Sequence, residues 1–444
     1  MKMQPLLYPL LRHADRSDSL AHDAAGPISV ERFLGDVAAL AACLPDGRHV
    51  VNLCIDRYRF TVGFASALVR EQITLLPSSD AEAPLEQLAR NYEGVYFLHD
   101  TDFGLIGRVQ TFSFPRNLVS VPGSPVPSFP VDRTAAILFT SGSTGDPVPN
   151  PRSWGALVLS TRAAARALGV AELAGATLLG TVPHQHSYGI ESIVMLALQH
   201  GFAFHGTRSL LPADIVGQLA AMPAPRILIT TPVHLRSLAA HEGALPPVHC
   251  IVSATAPLAL DLARQAEARF TAPLYEIYGC SEVGQIAARR TVETEEWSCI
   301  DDIELTRQDD DVWASGPAAA VAAPLNDVIE LNGPKRFVLR GRKSDMINIA
   351  GKRSSLAYLN HRLNAIDGVE DGVFVEPEGN GKRLTAYVVA PRLTARQLLA
   401  ALRREIDPAF LPRPLIFVDL LPRNALGKLT RRALEHLALE TIER

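Results

Sequence analysis

Short apolar runs alternate along this chain with segments whose apolar positions recur at helical spacing. "HVVNLCI", "ITLLPS", "VYFLHD", "AAILFT", "TLLGTV", "RILITT", "HCIVSAT" and "LYEIYG" have the length and branched-residue content of buried strands, several ending in polar residues or glycine. "PLEQLARNY", "LSTRAAARAL" and "LALDLARQAEARF" lie between them and read as helices. That alternation predicts an α/β fold, a large layered N-terminal domain built on mainly parallel sheets. After Gly341 the pattern shortens. "DMINIAG", "GVFVEP" and "LTAYVVAP" read as strands, and "SSLAYLNHRLNAI" and "TARQLLAALRREI" as helices, the second opened by a Thr394-x-x-Gln397 capping box. The expected organisation is therefore residues 1–341 as the large domain and 342–444 as a small α+β domain. No internal repeat is visible, and "VPGSPVPSFP" reads as a connecting loop.

Composition agrees with this division. A chain of 444 residues that is 47% hydrophobic and 20% charged can bury more than one core. No stretch approaches the roughly 18 to 20 uninterrupted apolar residues that span a bilayer. The start, "MKMQPLLYPLLRHADRSD", is broken by Pro5 and Pro9 and has no cleavage-site pattern, so the expectation is a cytoplasmic protein with no membrane span. Cys43, Cys54, Cys250, Cys280 and Cys299 form no C-x-x-C pair and predict neither zinc nor a disulfide framework. A net charge of −4 argues against a nucleic-acid partner. From Gly341 onward, however, 17 Lys and Arg face 12 Asp and Glu, which makes the small domain basic on an acidic body.

Candidate chemistry begins with "ILFTSGSTGDPVPNPRSW", residues 137–154, where an apolar run meets a loop of hydroxyls and glycines suited to an anion. It is not a nucleotide-binding Walker loop, because Gly142 and Gly145 are too close and no lysine follows. Taken alone it could be a Ser/Gly surface loop.

Four further stretches follow in order: "TVPHQHSYG" (181–189), "YEIYGCSEVG" (275–284), "NDVIELNGPKRFVLRGRKSDMINIAGKR" (326–353) and "PRNALGKLTRRAL" (422–434). With "TSGSTGDP" they resemble the ordered motifs of the adenylate-forming superfamily, the AMP-binding acyl- and aryl-CoA ligases and their relatives, over most of the chain from about residue 130. The resemblance implies that ATP activates a carboxylic acid to an acyl-adenylate and that the acyl group then passes to a thiol. Such chemistry rests on positioning and on electrostatic stabilisation at the α-phosphate.

By that resemblance Thr140, Ser141, Gly142, Ser143, Thr144 and Gly145 would hold the phosphates of ATP. Tyr278 would stack on adenine, with Gly279 beside it in the nucleotide site, Ser281 would bond the α-phosphate, and Glu282 would hold Mg²⁺. Asp327 would take the ribose hydroxyls, and Arg342 would reach ribose or phosphate. Lys428, after Gly427, would bridge the attacking carboxylate and the α-phosphate. Ser344 falls at the family's hinge, about which a mobile small domain would close for adenylation and rotate for thiol transfer. Two departures stand out. Val148 occupies the position of a loop lysine, with Arg152 as a possible replacement cation, and the segment "DVWASGPAAAVAAPLND" is short for the family.

On the acid side, His186 stands where amino-acid-activating relatives carry an aspartate, so an α-amino acid is not expected. His186 is assigned to catalysis and substrate binding, with Tyr188, Ala254 and Thr255 as further substrate residues; His184 is either a packing residue or a second polar group there. A compact pocket of this kind suits a flat aromatic acid. The short loop variant also resembles the AMP-binding enzymes of aryl-polyene and xanthomonadin-type pigment clusters, which implies a 3- or 4-hydroxybenzoate loaded onto an acyl carrier protein. Free coenzyme A as acceptor is the alternative, and a non-catalytic AMP-binding relative is a third reading.

Overall fold

A computed structural model of the protein describes residues 5–77, 82–101, 109–141, 147–309, 311–343, 346–349, 352–376 and 384–423, with single positions beyond. Every apolar run named above forms a strand. Six strands make one sheet, in the spatial order Pro147–Ser153, Thr134–Ser141, Ile73–Leu76, His49–Asn52, Tyr96–His99, Gln110–Ser113. All neighbours in it are parallel except the hairpin Thr134–Ser141/Pro147–Ser153. Pro147, Pro149 and Pro151 alternate along that edge strand. Their shared parity leaves the missing N–H groups on one side, which an edge strand tolerates.

The second sheet has eleven strands and is parallel only through its centre. Leu274–Cys280, Cys250–Ser253, Arg226–Thr230, Thr177–Gly180, Ala203–His205 and Ser19–Asp23 run together. Antiparallel strands flank them: Gly26–Ser29 at one end, and Gly284–Arg290, Glu296–Cys299, Arg336–Arg342 and Asp327–Leu331 at the other. The expectation of mainly parallel sheets therefore holds for the six-stranded sheet but only for the middle of the larger one. Most of its flanking strands follow one another through turns too short for a parallel crossover, and Glu296–Cys299 pairs antiparallel with the more distant Arg336–Arg342.

Helices cover the sheets. Arg57–Val69 is buried from Arg57 to Leu68 except at Arg59, its polar groups satisfied inside the fold, as where Thr61 Oγ1 donates to the Arg57 carbonyl at 2.7 Å. Trp154–Ala167 is capped by Ser153, whose Oγ accepts the Ala156 N–H at 3.1 Å. The short segment "DVWASGPAAAVAAPLND" supplies the strand Asp311–Ser315 and a two-residue strand, Ala323–Pro324, of a three-stranded sheet beside the larger one.

The small C-terminal domain has its own core. Leu359 and Leu363 of the helix Leu356–Asn364 and Leu398 and Leu402 of the helix Ala395–Glu405 pack with Phe374, Leu384, Ala386, Val388 and Phe410. The capping box forms: Thr394 N–H donates to Gln397 Oε1 at 2.9 Å, and Gln397 N–H donates to Thr394 Oγ1 at 3.4 Å. Among the described residues no helix is long and apolar enough to cross a membrane, and all five cysteines are free thiols.

Candidate active site

Four adjacent parallel strands of the large sheet end on one edge, and the loops that leave them carry His186, Tyr188, Ala254, Thr255, Ser281 and Glu282. Thr177–Gly180 leads into "TVPHQHSYG", Arg226–Thr230 into Thr231, Cys250–Ser253 into Ala254 and Thr255, and Leu274–Cys280 into Ser281 and Glu282. Leu274–Cys280 is also where parallel pairing gives way to antiparallel, with Cys250–Ser253 on one side and Gly284–Arg290 on the other. The carboxyl edge of such a sheet, at a change in connectivity, leaves a crevice between diverging loops.

The loop "PHQHSYG" is held from below. Arg57, fully buried, donates to the carbonyls of His205 at 2.5 Å, Gly180 at 2.9 Å and Val182 at 3.5 Å. Burial pulls its pKa down to about 10, still charged at neutral pH. His184 is buried too, against Phe60, with Nε2 donating to the Cys54 carbonyl at 2.8 Å. Burial first, and then Arg57, pull its pKa down to about 3, so the ring is neutral and packs. His186 precedes a short helical turn, is half-buried, and accepts the Ile190 N–H on its carbonyl at 2.9 Å.

Tyr188 donates its hydroxyl to the Val252 carbonyl at 2.9 Å, and burial raises its pKa well above the usual tyrosine value. Its polar end thus holds the neighbouring strand, leaving the ring to pack. Ala254 is buried; Thr255 is exposed, with φ of 79°. A left-handed threonine is costly and marks a sharp departure of the chain from the strand. Between these loops Thr181 Oγ1 meets Thr230 Oγ1 at 3.0 Å and His234 Nδ1 at 3.1 Å, and Thr231 Oγ1 lies 3.0 Å from the same nitrogen.

On the nucleotide side, Tyr278 donates to Asp327 Oδ2 at 2.5 Å, while its ring packs near Trp297 and Phe337 with centroids 5.8 and 5.5 Å away. Asp327 and Arg342 pair directly across their hairpin, so two residues chosen from their spacing are brought together. Gly279 has no room for a side chain: a Cβ would lie 2.3 Å from the Gly284 carbonyl oxygen. The turn beyond it leaves Ser281 and Glu282 half-buried. Burial, opposed by the Val283 backbone hydrogen bond and reinforced by the Glu282 carboxylate, raises Cys280 to about 12, so it stays a thiol.

Arg152 corrects one expectation. It does not stand in for the loop lysine missing at Val148, because its guanidinium is buried, 2% exposed. It is occupied by the carbonyls of Glu282 at 3.1 Å, Ser281 at 2.8 Å and Cys280 at 3.4 Å. Val148 itself is 47% exposed and pairs with Thr140, whose Oγ1 accepts from Asn150 Nδ2 at 3.4 Å. Gly142, Ser143, Thr144, Gly145, Ser344 and Lys428 lie outside the described residues, as do the side chains of Ser141 and Arg342. Arg423 and Leu429, on either side of the lysine segment, form an antiparallel bridge, and Arg423 grips Asp371 through two bonds of 2.7 and 2.8 Å.

Three buried polar residues were not foreseen: Arg57, Arg152 in its clamping role, and Glu191. Glu191 accepts from Ser187 Oγ at 2.7 Å and Ser160 Oγ at 3.0 Å, in a π-helical stretch, Ile190–Met195. Its signal in the sequence is a single acid within "GIESIVMLAL", since a charge inside an apolar run has to find buried partners.

The donor set fits Mg²⁺. No group of three or more His, Cys, Asp and Glu that could hold a metal occurs among the described residues, and a single half-buried carboxylate, Glu282, stands at the turn. Mg²⁺ commonly takes one or two carboxylates, completing its shell with phosphate oxygens and water.

Comparison with known proteins gives the same answer. The AMP-binding enzyme family matches residues 59–316. A 4-coumarate–CoA ligase of Rhodobacter capsulatus is 32% identical over 297 residues, 66% of this chain and 74% of that one. Two solved structures share the fold: an anthranilate CoA ligase in complex with anthranoyl-AMP (TM-score 0.82, 14% identity, 98% and 99% of the two chains), and the O-succinylbenzoate coenzyme A synthetase of Bacillus subtilis with ATP and magnesium ion (TM-score 0.80, 18% identity, 97% and 100%). The chain belongs to the AMP-binding enzyme family, as an adenylate-forming acid–thiol ligase that uses ATP with Mg²⁺.

Proposed function

We propose that the chain activates an aromatic carboxylic acid, a 3- or 4-hydroxybenzoate, as its acyl-adenylate and passes the acyl group to the phosphopantetheine thiol of an acyl carrier protein. The observation that carries this reading is the convergence at one sheet edge of a neutral, largely apolar acid side with the Ser281–Glu282 turn. His186, the Tyr188 ring and Ala254 offer no counter-charge for an ammonium group, and the named relatives act on aromatic acids, coumarate and anthranilate. Pigment biosynthesis in the cytoplasm is the setting this reading implies.

Each residue then has a task. Tyr278, fixed by Trp297 and Phe337, sets one wall of the nucleotide site and orients Asp327 towards the ribose through its hydroxyl. Ser281 donates to the α-phosphate, and Thr140 with residues 141–145 borders the outer phosphates. When bound, Mg²⁺ draws charge from the phosphate oxygens and is held by Glu282. Lys428 brings a cation to the meeting point of carboxylate and α-phosphate, carried by a small domain that begins at residue 342, is mobile, and turns at Ser344.

The acceptor is read from charge. Arg396 and Arg403, seven residues apart on one helix face, and the adjacent Arg404 are all exposed on Ala395–Glu405, and separated guanidinium groups suit an extended acidic surface. The coenzyme A ligases among the relatives favour the second reading, free coenzyme A. Acyl transfer measured to both acceptors decides between them. The carrier protein should be loaded faster than coenzyme A and lose rate as ionic strength rises. Preference for coenzyme A, or carrier loading indifferent to salt, would contradict the carrier assignment.

A further inference from the structure

Arg152 joins the two halves of the nucleotide site from behind. Its backbone is fixed on both sides: it lies in the edge strand that leaves the 142–146 loop, and the next residue caps the helix Trp154–Ala167. Its guanidinium, 2% exposed, reaches about 130 residues along the chain to the three successive carbonyls of the Cys280–Glu282 turn. The packing there is close. Gly284 takes φ of 108°, and a Cβ on it would lie 3.4 Å from Glu191 Oε2 and 3.5 Å from Arg152 Nη2, so a buried carboxylate and the guanidinium flank one glycine. The carboxylate is itself held by Ser160 and Ser187, the first on the same helix that Ser153 caps and the second in the "PHQHSYG" loop.

We propose that Arg152 is a positioning residue for adenylation, whose guanidinium draws three backbone carbonyls inward and so fixes the turn that presents Ser281 and Glu282 to the nucleotide. A planar group with five N–H donors can satisfy three carbonyls in fixed directions; an ammonium cannot do so with the same geometry. The position of Glu282 is thereby tied to the strand that borders the phosphate loop. This proposal rests on the reading of Ser281 and Glu282 as the α-phosphate and Mg²⁺ residues.

The test is a double-mutant cycle on the full-length enzyme, read by acid-dependent pyrophosphate exchange, with thermal melts of every variant. Arg152→Met should lower kcat about 10- to 100-fold, as expected when a transition-state contact is misplaced. It should leave the KM of the acid within about twofold and raise the Mg²⁺ concentration needed for half-maximal rate. Arg152→Lys should recover part of kcat. Because Arg152 acts through the turn, Arg152→Met should cost clearly less in the Glu282→Gln background than in wild type, the remaining loss coming through Ser281. Losses that multiply, with an unchanged Mg²⁺ requirement, would overturn the positioning role. A Glu282→Gln enzyme as active as wild type would instead overturn the reading of the turn, and this proposal with it. If Arg152→Met does not fold, Arg152→Lys carries the same cycle.

Discussion

His184 is the clearest case of a residue whose chemistry is set by burial. With its Nε2–H committed to the Cys54 carbonyl and Phe60 against the ring, its pKa falls to about 3, against an ordinary value of 6.5. The folded protein therefore excludes a proton that the unfolded chain accepts below pH 6.5, and stability from this group is full above that value and is lost as pH falls towards 3. Between pH 7 and pH 5 the loss amounts to about 2 kcal/mol. Urea unfolding at the two pH values should show that His184→Asn loses about that much less than wild type; identical pH dependence would contradict the assignment. The sequence left open whether His184 packs or serves as a polar group in the site, because a strand end shows no burial until its neighbours are placed. Tyr188 was expected from the sequence to be a substrate residue, and the commitment of its hydroxyl to Val252 depends on a strand 64 residues away. Arg152 was expected from the missing lysine at Val148 to be a replacement cation, whereas its partners are the carbonyls at the end of a strand in the other sheet.

At the scale of elements, the hairpin from Leu274 to Arg290 carries Tyr278, Ser281 and Glu282, proposed above to face the nucleotide, and its geometry depends on two glycines. Gly284 supplies a left-handed turn residue, and Gly279 allows the two strands to approach to within 2.3 Å of where a Cβ would sit. The obstruction at Gly279 is backbone and cannot rotate aside. Gly279→Ala should therefore destabilise the protein by about 1–3 kcal/mol, as overpacking does, and depress adenylation more than a melting shift accounts for. An alanine variant with wild-type melting and wild-type exchange rate would show that the hairpin opens freely. Element types were legible throughout the apolar runs, since period and length fix strand against helix there. The antiparallel flanks of the large sheet were not, because strand direction follows from which elements pair, and hairpin pairing over 284–342 has no local signature beyond its turns. The π-helical stretch at Glu191 is likewise invisible to a 3.6-residue repeat.

For the whole molecule, two of the motifs, 181–189 and 275–284, meet on one edge of the large sheet, and the Asp327–Arg342 pair lies on the antiparallel flank of the same sheet. That edge holds hydroxyls paired with one another, a neutral buried histidine and an aromatic ring whose polar end faces a strand. The central claim is that this edge binds an aromatic acid for attack on ATP. Acid-dependent exchange of labelled pyrophosphate into ATP, run with Mg²⁺ across hydroxybenzoates, short and long aliphatic acids and α-amino acids, tests it most directly. The account predicts the highest kcat/KM for 3- or 4-hydroxybenzoate, with AMP and pyrophosphate as products when a thiol acceptor is present. Exchange supported only by aliphatic or α-amino acids, or ADP and phosphate as products, would contradict it.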